Sequence, residues 1–269
     1  MSAPTHKPLT QTVSPLAGGA FQRKMLSMPL VPRTFWVDIE LDTLSTYLEH
    51  MSSYVDAQVV QLHRTVQGLT KDLDPDDRHD VYEAFADRAD KLERDFPRLL
   101  YTGYIASCYS LIETQCLRLC HKYKLRLVIS ALDREPLDTG VFRSREFLKE
   151  AAGYRIPEAL WRELIQLNFV RNRLTHERGR LPTFGVRPDE DNGNYEELPV
   201  ADGVNAYVRV DRETFAYLTQ HDLIRYQGPD FILEPTAPFC NHTTAYARSL
   251  FHTIYHDLEH LLKKPPRAA

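Results

Sequence analysis

Apolar residues recur at alternating three- and four-residue steps along much of the chain, which is the spacing of one stripe on an α-helix. The longest stripe consists of Leu41, Leu44, Leu48, Met51, Val55, Leu62, Val66 and Leu69. After it, Asp74 is a suitable cap for a second helix that starts at Pro75 and ends near Asp95. A third helix is expected over residues 97–124. Its buried stripe consists of Ile105, Cys108, Ile112, Cys116 and Leu119.

Three more helices are expected in the second half of the chain. A short one opens at Ser144 and is closed by Gly153, because glycine tolerates the left-handed conformation that ends many helices. The next begins at Pro157 and reaches about His176, and a final amphipathic helix over 241–264 is capped by Asn241. Helices with one apolar face need partner surfaces, so the pattern predicts an all-α bundle.

The segment between the last two helices has a different pattern. Residues 181–204 contain several prolines, glycines and acidic residues, which predicts a long loop. Residues 206–210 and 231–233 are the strand candidates, and we expect them to form a small β-hairpin. The sequence therefore predicts a loop-and-hairpin insertion over about 179–238.

The rest of the chain divides simply. Residues 1–32 are rich in proline, glycine, serine and threonine without a helical period, which predicts a disordered tail. Residues 33–269 are expected to form one helical domain, with a loop over 133–139.

Composition narrows the class of protein. The apolar runs are only a few residues long, so we expect no transmembrane helix and no secretory signal. The four cysteines show no CxxC pairing, and three lie in one helical stretch, which predicts reduced, buried thiols in a cytoplasmic protein. The net charge of −4 gives no overall attraction to nucleic acid, so any RNA contact needs a local basic patch.

The candidate chemistry lies near the end of the helix over 157–176. Arg171 falls on an apolar stripe with Leu160, Leu164, Leu167 and Leu174. An arginine there costs free energy unless its guanidinium is paired or lies at an opening. Asn172 and His176 are four residues apart and share a neighbouring face. At about 100° per residue, Arg171 and His176 point about 140° apart, an angle that a long arginine side chain can bridge.

These residue types suit RNA cleavage without a metal or cofactor. Histidine can take a proton from a ribose 2′-hydroxyl or return one to the leaving oxygen near neutral pH. Arginine can hold a phosphate through two hydrogen bonds and stabilise its growing charge, while Asn172 fixes the imidazole or binds the sugar-phosphate. A 2′-hydroxyl nucleophile restricts such a site to RNA. An arginine near a histidine at a helix end is also a common capping or ion pair.

The string Arg171-Asn172-Arg173-Leu174-Thr175-His176 resembles the R-N-x3-H motif of the HEPN domain family. The preceding SREFLKEAAGYRIPEALWRELIQLNFV resembles the family's short helix, glycine-containing turn and motif helix, with a tryptophan ten residues before the arginine. YIASCYSLIETQCLRLC resembles the earlier core helix that faces the motif. The resemblance covers about residues 97–178 closely and the final helix loosely.

The resemblance implies a four- or five-helix bundle that dimerises and brings two motifs into one cleft. Many members of the family are metal-independent endoribonucleases that act as toxins or in antiphage defence; others have lost catalysis and serve as binding modules. In the segment that resembles the facing helix, Glu113 is expected either to orient Arg171 across the bundle or to form an ordinary ion pair. The insertion after the motif departs from the minimal domain.

Two other patterns suggest metal ligands. His252, His256 and His260 lie one turn apart, and residues 256–260 read H-x-x-E-H, as in inverted zinc proteases. That protease needs a further carboxylate well downstream, so a polar helix face is the better interpretation. The second pattern consists of Cys116, Cys120 and His121. Core packing is the better interpretation of these residues than a metal site.

Two hypotheses remain from the sequence. The first is a homodimeric, metal-independent HEPN ribonuclease that cleaves RNA through Arg171, Asn172 and His176, with an antitoxin or defence-system protein as a possible partner. The second is a non-catalytic HEPN interaction or nucleotide-binding module. Retention of all three motif residues favours the first, whereas the negative charge and the insertion favour the second.

Overall fold

The computed structural model describes residues 32–127, 140–184, 195–199, 205–227 and 230–263. The helices are α1 (Pro32–Thr70), α2 (Pro75–Asp90), α3 (Phe96–Leu127), α4 (Gly140–Ala152), α5 (Glu158–His176), α6 (Arg212–Gln220) and α7 (Ala237–Lys263). The strands are β1 (Thr183–Phe184), β2 (Tyr195–Pro199), β3 (Asn205–Arg209), β4 (Ile224–Gln227) and β5 (Asp230–Leu233). The predicted all-α class with a small β insertion is confirmed.

The long first helix buries most of its predicted stripe. Leu41, Leu48, Val55, Leu62 and Val66 are buried along α1, whereas Leu69 at its end is exposed. The predicted cap of α2 is confirmed, because Asp74 Oδ1 accepts hydrogen bonds from the amides of Asp76 at 3.1 Å and Asp77 at 3.0 Å. The polar turn thus reverses the chain so that α2 packs on the end of α1.

The predicted interruption between a second helix that ends near Asp95 and a third that begins at residue 97 is wrong. The chain remains helical from α2 into α3 through a π-helical turn at Lys91–Asp95, where the amide of Phe96 bonds to the carbonyl of Lys91. A proline inside a helix lacks an amide donor and its ring crowds the preceding turn. The wider π turn gives the ring room, so the helix continues instead of stopping.

The core is centred on α3. Its predicted stripe of Ile105, Cys108, Ile112, Cys116 and Leu119 is buried. The helices that pack around it are α1, α4, α5 and α7. The predicted direct contact between the third helix and the motif helix is therefore confirmed.

The two helices before the motif are close to expectation. Helix α4 begins at Gly140, one turn earlier than predicted, so Ser144 is a buried residue within the helix and not its cap. Gly153 has φ +64°, the left-handed conformation expected where the helix ends. Pro157 immediately precedes α5.

The insertion contains more structure than a loop and one hairpin. Strand β3 pairs with β1 and β2 in a three-stranded antiparallel sheet, and β5 pairs with β4 in a separate two-stranded sheet. The two predicted strands therefore exist but do not pair with each other. Helix α6, capped by Asp211, lies between β3 and β4 in the sequence and was not predicted.

The final helix begins at Ala237, so the predicted cap at Asn241 is wrong. Thr236 Oγ1 accepts a hydrogen bond from the amide of Phe239 at 3.4 Å, and Asn241 lies inside the helix. None of the helices in the described ranges is long and apolar enough to cross a membrane. The predicted tail, apart from Pro32, and the loop over 133–139 lie outside the described residues.

Candidate active site on helix α5

Helix α5 places its motif residues at the edge of the core. Leu164, Leu167 and Leu174 are buried as predicted, and Leu160 is partly buried against the same core. Arg171 continues this apolar stripe, with 22 % of its side chain exposed. The guanidinium therefore needs polar partners where it leaves the core.

Two side chains meet this need. Arg171 Nη2 donates to Glu113 Oε2 at 3.1 Å, and Nη1 donates to Asn172 Oδ1 at 2.7 Å. The guanidinium carbon also lies 4.5 Å from the centre of the Tyr109 ring, within range of a cation–π contact. The predicted contact between Glu113 and Arg171 is thus confirmed, whereas its role in orienting the arginine for catalysis stays a prediction.

Two further residues join the site that the sequence reasoning did not identify. Asn172 Nδ2 donates to Asn168 Oδ1 at 3.4 Å, and Tyr109 lies beneath the guanidinium. Both were detectable, since Asn168 is one turn before Asn172 and Tyr109 is one turn before Glu113. The result is a polar chain from α3 across Arg171 to the preceding turn of α5.

Tyr109 serves as a neutral platform for this chain. Burial is the main cause that raises the pKa of its phenol, and the Glu113 carboxylate raises it further, while Arg171 acts in the opposite direction. The phenol therefore stays protonated near neutral pH. Its ring contributes a π face without adding a second negative charge beside Arg171.

His176 is separate from this chain. It is the last residue of α5 and is exposed. In the part of the chain that the structure describes, its ring makes no hydrogen bond and no ion pair. Five residues of helix separate it from Arg171 by about 7.5 Å along the axis, with about 140° between their directions. Within one chain, the two motif side chains are near each other but not in contact.

The chain turns sharply after His176. Glu177 forms an ion pair with Arg173, and the amide of Gly179 donates to the carbonyl of Arg173 at 2.7 Å. Gly179 has φ +79°, and its carbonyl accepts from the amide of Leu233 at 2.7 Å. The turn is therefore fixed both to α5 and to β5, and β5 lies beside the end of the motif helix.

The histidines and cysteines that suggested metal ligands make other contacts in the structure. His252 Nε2 lies 3.0 Å from Asp38 Oδ2 on α1, and the rings of His256 and His260 contact each other with centres 4.5 Å apart. Cys116 and Cys120 are buried, and burial is the main cause that raises both thiol pKa values, that of Cys120 to about 11. Among the residues described, no three histidine, cysteine, aspartate or glutamate side chains group as metal ligands.

Comparison of the chain with protein-family models, with curated proteins and with solved structures finds no match. The HEPN resemblance accordingly stays a prediction from the motif and its surroundings.

Proposed function

We propose that this chain is a metal-independent endoribonuclease of the HEPN type. The observation that supports the proposal best is the placement of Arg171, a half-buried guanidinium aimed by Glu113 and Asn172 at the edge of the core. An arginine has five N–H donors in a rigid fork, so donors remain for a phosphate after these two bonds. An exposed histidine lies at the end of the same helix.

In the proposed reaction an imidazole takes the proton of a ribose 2′-hydroxyl. The 2′-oxygen attacks the adjacent phosphorus, the bond from phosphorus to the 5′-oxygen breaks, and an imidazolium returns a proton to that oxygen. The products are a 2′,3′-cyclic phosphate and a free 5′-hydroxyl. Arg171 stabilises the negative charge that grows on the phosphate.

The separation of His176 from Arg171 favours a site shared between two chains. A two-fold dimer with the ends of α5 facing each other would supply two imidazoles and two guanidinium groups to one cleft, so that one histidine is the base and the other the acid. We propose this homodimer, with RNA as substrate and a toxin or antiphage role in the cytoplasm. An antitoxin or another defence-system protein would then control it.

A second candidate is a non-catalytic interaction or nucleotide-binding module. One observation favours it: Arg171 is already held by Glu113 and Asn172, and His176 does not reach it within the chain. In that case the guanidinium stabilises the bundle or a dimer and no bond is cleaved.

Incubation of purified protein with mixed RNA in chelator separates the two candidates. The ribonuclease is expected to leave 2′,3′-cyclic phosphate ends and to spare DNA of the same sequence. Light scattering at micromolar concentration is expected to show a dimer. The proposed enzyme would be refuted if the RNA stayed intact and light scattering showed only a monomer, both with and without added RNA.

A further inference from the structure

Three arginines from separate parts of the chain lie at or against the turn that follows His176. Arg98 in the first turn of α3 donates from Nη2 to the main-chain carbonyl of Arg178 at 2.6 Å, across 80 residues of sequence. Arg178 and Arg180 lie two and four residues after His176 in the turn after α5, and both are exposed. We call Arg98, Arg178 and Arg180 the arginine cluster.

The backbone of this cluster is held in place. The amide of Arg180 donates to the carbonyl of Glu177 at 3.0 Å, and Arg180 forms an isolated β-bridge with Ile232. Arg178 has φ +54°, a left-handed conformation that costs free energy for a residue with a side chain. The fold thus maintains a strained turn directly after the candidate catalytic histidine, and this turn carries two exposed arginines.

Within the described residues, the three arginines of the cluster differ from their neighbours in having no carboxylate partner. Nearby arginines have carboxylate partners, since Arg171 pairs with Glu113 and Arg173 with Glu177. For Arg98, Arg178 and Arg180, the described ranges contain no carboxylate within ion-pair distance. In a protein with net charge −4, this is the local basic patch that an RNA substrate requires.

We propose that the arginine cluster binds backbone phosphates of single-stranded RNA next to the scissile bond. The inference rests on the proposed function and adds the subsite that would hold the substrate strand. Guanidinium groups match phosphate oxygens through two parallel hydrogen bonds, and contacts of this kind position a strand without reading its bases. The cluster therefore accounts for affinity and orientation, while Arg171 and His176 act at the reacting phosphate.

Salt-dependent binding tests the subsite independently of cleavage. A short 2′-O-methyl RNA has no free 2′-hydroxyl and cannot be cut, so its affinity is measured by fluorescence anisotropy in chelator at about 50 to 200 mM salt. Each lost phosphate contact lowers the slope of log affinity against log salt by about 0.7 on single strands. Arg98→Ala/Arg180→Ala is expected to lower that slope by about 1.4 and to weaken binding severalfold or more at low salt.

The matched control removes two charges at the other end of α5. In Arg155→Ala/Arg162→Ala both changed arginines are exposed; Arg162 lies about 21 Å from His176 along the helix axis, and Arg155 lies just before the helix begins. The control is expected to keep the wild-type slope. Arg180→Glu replaces a side chain without a described partner, so it tests the charge even if the double variant melts early. Equal slopes for the wild type, the double variant and Arg180→Glu would overturn the proposal.

Failure of the subsite and failure of the enzyme give different results. If wild type cuts RNA and His176→Ala does not, but the cluster variants bind with the wild-type slope, the ribonuclease stands and the subsite is wrong. If wild type cuts nothing but the cluster variants lose affinity and slope, the RNA-binding subsite stands without the enzyme.

Discussion

The Arg171 guanidinium lies 3.1 Å from the Glu113 carboxylate and joins α5 to α3 across 58 residues of sequence. Neither side chain is free in solvent, with 22 % of Arg171 and 32 % of Glu113 exposed. Removing one partner from such a pair leaves a poorly solvated charge behind, which costs more than the pair itself contributes. The pair is therefore expected to stabilise the junction of the two helices as well as to aim the arginine.

A double-mutant cycle measures this pair. Glu113→Gln and Arg171→Met are each expected to lower the free energy of unfolding by about 1–3 kcal/mol, because each leaves one charged group without its partner. The double variant should lose less than the sum, with a coupling of about 1 kcal/mol or more in urea titrations. The exposed pair of Arg162 and Glu158 is the control and should couple by less than about 0.5 kcal/mol. Equal coupling for both pairs would contradict the assigned role of Glu113.

Gly179 is expected to be the glycine least tolerant of substitution among those in the described residues. A Cβ atom there would lie 2.8 Å from the carbonyl oxygen of Leu233, and φ is +79°. Gly179→Ala should lower the free energy of unfolding by about 2–4 kcal/mol, since strain from the left-handed conformation adds to a clash with backbone.

Two other glycines separate these causes in the same unfolding measurements. Gly153 also has positive φ but open space around its Cβ position, so Gly153→Ala should cost only about 1–2 kcal/mol. Gly68 is helical with open space, and Gly68→Ala should stabilise α1 by about 0.5–1 kcal/mol. A cost at Gly179 no larger than at Gly153 would show that the turn is not pinned to β5.

Stability on the acid side is expected to depend on His221. Its ring lies 4.2 Å from the ring of His242 and 4.6 Å from the ring of Tyr217. His242 Nε2 in turn lies 2.5 Å from Glu163 Oε1. Burial is the main cause that lowers the pKa of His221, His242 lowers it further, and Glu163 opposes both. The folded pKa of His221 therefore lies below the unfolded value of about 6.5. The free energy of unfolding keeps its full His221 contribution above that pH and loses it as pH falls below it.

Replacement by an uncharged ring tests this dependence. His221→Phe should lose less free energy of unfolding than the wild type between about pH 7.5 and 5.5, because the unfolded wild type gains a proton that the folded protein resists. Chemical denaturation at both pH values provides the measurement. An identical loss in the two proteins would exclude a contribution from His221.

The four cysteines are expected to be inert in the folded protein. All are free and buried, and burial raises the pKa of Cys108 to about 11 and raises that of Cys240. Since the thiolate is the reactive form, a thiol reagent at about pH 8 should label none of them in native protein and all four after unfolding in urea. Rapid labelling of native protein without unfolding would contradict the packing of α3 and α7.

The features that the sequence predicted are those set by local spacing. Burial on one side fixes the period of the α3 stripe, and a carboxylate next to a proline fixes the cap at Asp74. The contact of Glu113 with Arg171 was also predictable, because an arginine on an apolar stripe requires a nearby acceptor.

The wrong predictions had different causes, and one of them lay where distant residues decide the structure. The partner of a strand is not encoded in the strand, so β3 and β5 were assigned to one hairpin although they lie in different sheets. Pro97 indicated a break because the wide turn before it leaves no signal in residue type. Helix α6 did carry a signal, since Asp211 accepts a hydrogen bond from the amide of Thr214 at 2.8 Å, a standard capping contact.

The central claim is tested most directly by the rate at which purified variants cleave RNA in EDTA. His176→Ala should slow cleavage by roughly 10²–10⁴-fold, and Arg171→Ala by about 10²–10³-fold. Arg171→Lys should restore little, because an ammonium group cannot replace the planar fork. His50→Ala, at another exposed histidine, should cleave like the wild type. The free energy of unfolding of His176→Ala should lie within about 0.5 kcal/mol of the wild-type value. Cleavage by the wild type that His176→Ala and Arg171→Ala leave unchanged would contradict the account.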